Sequence, residues 1–260
     1  MTVTSITLFR FPGILTKTWA IGFGQLETRL HLANTKEIQF SKLLGTGTRD
    51  GFYPYPKFSV YGILAVWPSL ELAQEGIRSS QAFKRPRKLA SEDWTLYMAA
   101  TRCRGLWSGQ SPFGNYNKTA QSFQGCGLTA VLTRATIKLR HIPNFWRQVP
   151  AISQDISENQ GMLFKMGLGE VPWLHQATFT VWRDSVALDN FAYEGAHGSA
   201  VGKVRAGNWF KEQLFARFEI LGTEGYWQDA RELTELASMS KREASSNYGQ
   251  SKPHEIMELY

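Results

Sequence analysis

The sequence predicts an α+β chain of two tandem ferredoxin-like βαββαβ repeats, closed into the kind of α+β barrel that two separate chains form in a dimer. Three observations carry this: a repeated set of tryptophans, strand-like alternation ahead of each, and helix-length stretches between strands. With the chain displaced by 115 positions, Trp67 falls on Trp182, Trp94 on Trp209, Arg102 on Arg217 and Leu106 on Leu221, without a gap. Self-similarity over such a distance marks a repeated structural unit.

The elements follow in order. Ile6–Arg10 reads as a first strand and matches Ala130–Arg134; a Trp-containing segment follows each, at Trp19 and Trp146. Gln39–Lys42 and Leu163–Lys165 come next, each leading into a glycine-containing turn. Ser59–Trp67 and Ala177–Trp182 are rich in β-branched and aromatic residues, which suit a pleated, half-buried surface. A helical stretch and a last strand complete the ferredoxin-like order in each repeat. We place the first repeat at 1–109, a Gly-, Ser-, Asn- and Gln-rich linker at 110–127, the second repeat at 128–227 and a polar tail at 228–260. Within the tail Glu232–Met239 reads as a short helix and Ser245–His254 as disordered.

Composition narrows the function. Nine Trp, nine Tyr and sixteen Phe suit a thick core or a flat apolar ligand. The net charge of +7 suits an anionic surface or an acidic partner. The one dense basic run, Lys84, Arg85, Arg87 and Lys88, is broken by Pro86 and reads as a solvated helix face. No nucleic-acid module accompanies it. Two cysteines, Cys103 and Cys126, with no CxxC pair argue against a structural zinc site or a disulfide scaffold. The N-terminus lacks the pattern of a signal peptide, and no apolar run approaches the roughly 20 residues that cross a bilayer. A soluble, cytoplasmic protein with at most peripheral membrane contact is expected.

A duplication also serves as a control, because fold-determining positions recur whereas a site can belong to one repeat. On the 115-residue offset His197 falls on Ala82, so the fold does not require a histidine there. It stands in a helical pattern with Phe191, Val201 and Val204, capped by Asp184 or Ser185. Gly195, Gly198 and Gly202 would let a large flat group approach the backbone, though glycines also weaken a helix. Imidazole is a good axial donor to haem iron. His31, His141, His175 and His254 stand in less defined settings, and no two histidines have the i, i+4 spacing of a zinc site. A lone ligand fits haem better than zinc, which takes three or four protein donors. A G-x-S-x-G elbow and a P-loop are missing, and Gly45-Thr46-Gly47 lacks the third glycine of a dinucleotide fingerprint.

The chain resembles the spheroidene monooxygenases of carotenoid biosynthesis, from Val3 to Trp227. The resemblance rests on Leu8–Phe11, Lys42 through Gly51, Phe52 and Pro54, Tyr61–Pro68, Arg104–Gly109, Leu132–Ile137 and Phe145-Trp146. It continues through Phe164-Lys165, Gly167, Gly169–Pro172, Gln176–Trp182, Val204-Arg205, Trp209-Phe210 and Ala216–Phe218. It implies a monooxygenase that uses haem b, O2 as co-substrate and electrons from reduced, acidic ferredoxin. Two successive hydroxylations would place a keto group on an acyclic carotenoid. His197 would be the proximal ligand, with Gly198 and Val201 against the haem. Arg134, Lys165 and His175 are the candidate distal donors, and Phe164, Trp173, Phe179 and Phe191 the candidate channel lining. The basic charge would serve ferredoxin encounter or contact with an anionic membrane, in a monomer or homodimer. Three other readings keep the fold: haem degradation or dehydration of a small nitrogen compound, non-enzymatic carriage of haem or an apolar ligand, and cofactor-free oxygenation.

Overall fold

A computed structural model describes residues 2–48, 55–114, 125–171, 173–193, 202–204 and 206–250. The first repeat runs β1 (Val3–Arg10), α1 (Ile14–Ile21), α2 (Phe23–Ala33), β2 (Phe40–Gly47), β3 (Pro56–Trp67), α3 (Leu70–Ser79), α4 (Gln81–Leu89) and β4 (Glu92–Gly105). The second runs β5 (Thr129–Ile137), α5 (Ile142–Glu158), β6 (Met162–Val171), β7 (His175–Trp182), α6 (Ser185–Tyr193) and β8 (Phe210–Gly225), and α7 (Arg231–Gln250) ends the described chain. The eight strands close as β1-β3-β2-β6-β7-β5-β8-β4 with every neighbour antiparallel. Each repeat therefore supplies a four-stranded sheet of ferredoxin-like order, and two seams, β2–β6 and β4–β8, join the sheets.

The seams pair each strand with its own counterpart. Gly45 faces Gly169 across one, and Ala99 faces Glu219 across the other, as a pseudo-twofold axis through both points requires. Closure removes the free strand edges that an open sheet must protect.

Side chains alternate between the barrel interior and the helix side, as the period of two dictates. Ile6, Leu8, Leu64, Leu96, Phe179 and Phe218 belong to one buried interior cluster. Trp94 and Phe164 meet there with ring centroids 5.3 Å apart. Two segments read as peripheral contribute to this core. Phe113, within the presumed linker, is buried and packs edge-on against Phe218 at 5.0 Å; residues 115–124 lie outside the described chain. Helix α7 extends well beyond Glu232–Met239, to Gln250, and Leu233 and Ala237 enter the interior cluster. Trp94 Nε1 donates to Thr234 Oγ1 at 3.2 Å, fixing that helix across one end of the barrel. An apolar residue every third or fourth position, Leu233, Leu236 and Ala237, is the reason this polar-looking tail docks. The part of the presumed disordered stretch beyond Gln250 lies outside the described residues.

The register corrects the ungapped repeat. Trp67 and Trp182 do correspond, each ending the third strand of its repeat opposite Val3 and Thr129. Ile63 and Thr178 then correspond, and the residues opposite them, Thr7 and Thr133, match one another. Leu8 thus corresponds to Arg134, two places from the Arg10–Arg134 match expected. Leu8 faces Trp94 in β4, whereas Arg134 faces Leu214 in β8. Trp94 lies 27 positions after Trp67, and Leu214 lies 32 after Trp182. The second crossover is five residues longer, so Trp209 precedes its strand and does not replace Trp94. His197, compared above with Ala82, lies outside the described residues. Identical residue types at constant spacing do not fix strand pairing; hydrogen-bonded register does.

Candidate functional site

Each sheet carries its helices on the outer face, and there the two repeats part company. In the first, Phe9, Phe11, Tyr61, Ile63, Trp67 and Tyr97 from the strands meet Ala73, Ile77, Ala82 and Phe83 from α3 and α4 in one sealed layer. In the second, one small cluster holds Val131, Trp182 and Leu188, with Met162, Ala187, Phe191 and Phe215 half-buried around them; Ala135, Thr180 and Ile156 are buried apart from it. The strand side chains explain the contrast. Phe9 and Tyr61, paired across strands, correspond in register to Ala135 and Gln176, and Leu43 and Ile63 to Gly167 and Thr178. Large side chains in one repeat face small or polar ones in the other. Thr7 is 0 % exposed, whereas Thr133, in the middle of a strand paired on both sides, is exposed.

Above this open face stands α5. Its apolar residues Phe145, Trp146, Val149, Ile152 and Ile156 follow helical spacing, yet only Ile156 is buried; the other four are half-exposed. Trp146 Nε1 is buried with no hydrogen-bond partner among the described residues, and so is His141 Nδ1 just ahead of the helix. A buried N–H without a partner costs free energy unless a ligand or water accepts from it. His141 stacks on Trp209 at 5.7 Å. Burial, Arg140 and Lys138 push its imidazole below the ordinary value, so it is neutral near pH 7. A cleft of about 300 Å³ opens alongside, lined by Val204, Asn208, Trp209, Phe210, Lys211, Glu212 and Gln213.

Among the expected distal donors, only Lys165 belongs to this layer. Its Nζ donates to the Ser153 carbonyl of α5 at 3.4 Å. Arg134 and His175 lie on the opposite, inner side of the sheet. The side chain of Arg134 is 3 % exposed and pairs with Glu170 at 3.3 Å and with Glu212. Glu170 also binds Lys42 at 2.9 Å and accepts from Trp107 Nε1 at 2.8 Å, and His175 Nδ1 is 3.9 Å away. Glu212 accepts from the backbone N–H groups of Ser108 and Gly109 at 2.9 and 2.8 Å, holding Ser108 in the left-handed region (φ 54°). Burial raises both glutamate pKa values, but the hydrogen bonds and the Lys42 and Arg134 charges outweigh it and hold both carboxyls below the usual range. This is an ion network that ties the Trp107–Gly109 turn of one repeat across the barrel mouth to the other.

The expected channel aromatics scatter as well. Phe164 and Phe179 pack on one another at 6.3 Å inside the closed barrel, turned away from the open layer. Phe191 lies in the layer, tilted on Trp182 at 5.0 Å. Trp173 is 50 % exposed on a turn at φ 66°. His197, Gly198 and Val201 lie outside the described residues, in the crossover that leads to the cleft. Among the described residues no group of three or more His, Cys, Asp or Glu could hold a metal ion. Trp146, Trp209 and Phe210 were read from the sequence only as repeat or family markers and Thr133 was not singled out; the amphipathic spacing of α5 was the available signal for a site.

The residues present fit a large flat group such as haem. An open strand face floored by Thr133, a half-buried apolar helix above it and a Trp146 N–H without a partner among the described residues suit an apolar body with polar edges. Lys165 and Lys211 could meet anionic edges.

No family model matches the chain. It is 37% identical to the spheroidene monooxygenase of Cereibacter sphaeroides over 94% of this chain and 74% of that one. It is also 37% identical to the Rhodobacter capsulatus spheroidene monooxygenase, over 87% of this chain and 93% of that one. Among solved structures an aldoxime dehydratase superposes with a TM-score of 0.54 at 11% identity, covering 84% of this chain and 81% of that one; this likeness extends to the fold alone. No described helix is long and apolar enough to cross a membrane. The identity and its extent, on a barrel with one sealed and one open repeat, place the chain in the spheroidene monooxygenase family.

Proposed function

We propose that the chain is a carotenoid monooxygenase that binds haem b in the open layer of its second repeat, with His197 as the iron ligand. The observation that carries the reading is the exposed Thr133 on a central strand beneath the half-buried apolar face of α5, at a register position that is sealed in the first repeat. The names of the relatives supply the substrate class.

Haem, when bound, supplies activation of O2 with electrons from an acidic ferredoxin. The remaining work falls to this chain. Trp209 and Phe210 at the cleft receive the apolar end of the substrate, since a polyene terminus has no polar group to hold and is oriented by shape alone. Phe145, Trp146, Val149 and Ile152 exclude water from above. Lys165 Nζ of β6, which donates to the Ser153 carbonyl of α5, is a cation in the layer able to hold a proton at the site of oxygen reduction. Conversion of one CH2 to a ketone consumes two O2, four electrons and four protons. Two hydroxylations give a geminal diol, which loses water, so three waters leave in all.

The test is the absorption spectrum of the purified chain after haem is added, read beside His197→Ala. A stoichiometric Soret band in the native chain, lost in the variant while the fold persists, is the expected result. No band in the native chain, or an equal band in both, overturns the haem reading. Turnover of an acyclic carotenoid with ferredoxin and O2, followed by the appearance of a ketone, tests the substrate.

A further inference from the structure

The first repeat, which has no open layer, carries a different unexplained feature on its outer helices. Ile14 and Leu15 at the start of α1 are 83 % and 86 % exposed, and Leu26 and Leu30 on α2 are 61 % and 57 % exposed. Leu26 and Leu30 stand four apart and so share one helix face. Helices α1 and α2 pack on each other, and α2 packs on α4. Isolated exposed leucines need no explanation, but two pairs on adjacent helices form a surface of the kind that marks an interaction site.

The charge around this surface is one-sided. Helices α1, α2 and α4 together carry Lys17, Arg29, Lys84, Arg85, Arg87 and Lys88 against the single carboxylate Glu27 on the same helices, and Arg87 is paired with Asp93 of β4 at 2.7 Å. Glu27 is already engaged, 3.0 Å from Arg85 and 3.7 Å from His31. Protruding aliphatic side chains within a collar of cations are the composition of a surface that lies in a bilayer interface, with apolar groups among the acyl chains and cations at anionic headgroups.

We propose that the α1–α2 surface, with the basic face of α4 beside it, docks the protein on an anionic lipid bilayer. The surface lies in the repeat opposite the open layer, so docking leaves that layer free. The inference concerns lipid binding alone and does not depend on haem, though a membrane-dissolved substrate gives docking its use.

The experiment is co-sedimentation of the full chain with vesicles of phosphatidylglycerol and phosphatidylcholine in equal parts, against phosphatidylcholine alone. Binding to the anionic vesicles should exceed binding to the neutral ones by at least about tenfold at low salt. The variants Leu26→Ser/Leu30→Ser and Ile14→Ser/Leu15→Ser should each lower it by about tenfold, while Leu139→Ser, equally exposed in the second repeat, should not. All four side-chain sites are solvent-exposed, so melting temperatures should be unchanged, which confirms folding. Equal binding by native chain and variants overturns the proposal, as does absence of vesicle binding. A concentration-dependent dimer, or capture of an acidic ferredoxin, that disappears in the same variants while vesicles are ignored also overturns it. The Soret band and turnover of detergent-dissolved carotenoid remain intact in these variants if docking alone is wrong.

Discussion

Thr7 and Thr133 occupy one register position in two copies of the same sheet, yet the first is sealed beneath helices and the second faces solvent. Around the first stand Phe9, Tyr61, Ile63 and Leu43; around the second, Ala135, Gln176, Thr178 and Gly167. The backbone hydrogen-bond pattern of the two sheets is shared, so the fold does not demand the open layer. Duplicated sheets thus separate the requirements of stability from those of a site: one copy fills its helix-side layer with large side chains, and the other leaves open the layer proposed above for haem.

The largest expected effect comes from erasing that difference. Carrying the first repeat's residues into the second, as Gly167→Leu with Thr178→Ile, should fill the layer. Haem binding should weaken by at least about a hundredfold, since overpacking leaves no room for a flat group, and it is read by titrating the Soret band. Far-ultraviolet circular dichroism should be unchanged. A filled variant that still binds haem stoichiometrically would move the site elsewhere in the molecule.

Next comes the reverse contrast, in stability. Phe9→Ala cuts a sealed layer and should cost about 3–5 kcal/mol. Phe215→Ala removes a half-buried ring from the open layer and should cost about 1 kcal/mol. Urea unfolding of the haem-free chain measures both. Equal costs would mean that the second layer is as well packed as the first.

A smaller effect is expected from acid. Glu170 and Glu212 have folded pKa values below their unfolded ones. Their contribution is therefore complete above the ordinary glutamate range and lost as pH falls through the depressed folded values. The melting temperature should decline as pH drops from about 5, the upper end of that window. In Glu170→Gln the native stability at neutral pH should be lower and the decline shallower. Leu8, which holds the corresponding place to Arg134, brings no such charge, so the acid response belongs to the mouth formed by the second repeat.

How much of this was legible in the sequence follows from what each element depends on. The strands, their order and the Trp67–Trp182 correspondence were legible because alternation and aromatic enrichment are local properties. The second crossover's extra five residues were not, because Trp209 happens to keep Trp94's spacing while lying before its strand. That Lys165 lies on the helix side of the sheet and Arg134 and His175 on the inner side was not legible, since a one-residue step reverses the face of a strand side chain and register comes from distant partners. Thr133 carries no signal in itself. Its meaning lies in the small and polar neighbours on β6 and β7, Gly167, Gln176 and Thr178, which only the paired sheet brings together.

Salt should have the smallest effect, and it tests where electrons enter. The first repeat's helices α1 to α4 carry seven Lys or Arg against three carboxylates, whereas α5 and α6 carry one against three. A ferredoxin delivering electrons to the second repeat would thus feel the positive field mainly from a distance. Exposed charges farther apart than the Debye length, about 10 Å at 0.1 M salt, are largely screened. Ferredoxin-supported turnover on detergent-dissolved carotenoid should therefore fall only about two- to threefold between low and high salt. A fall beyond about tenfold would mean that the ferredoxin docks directly on the basic helices. Electrons would then enter through the sealed layer, and the division of labour between the repeats would have to be redrawn.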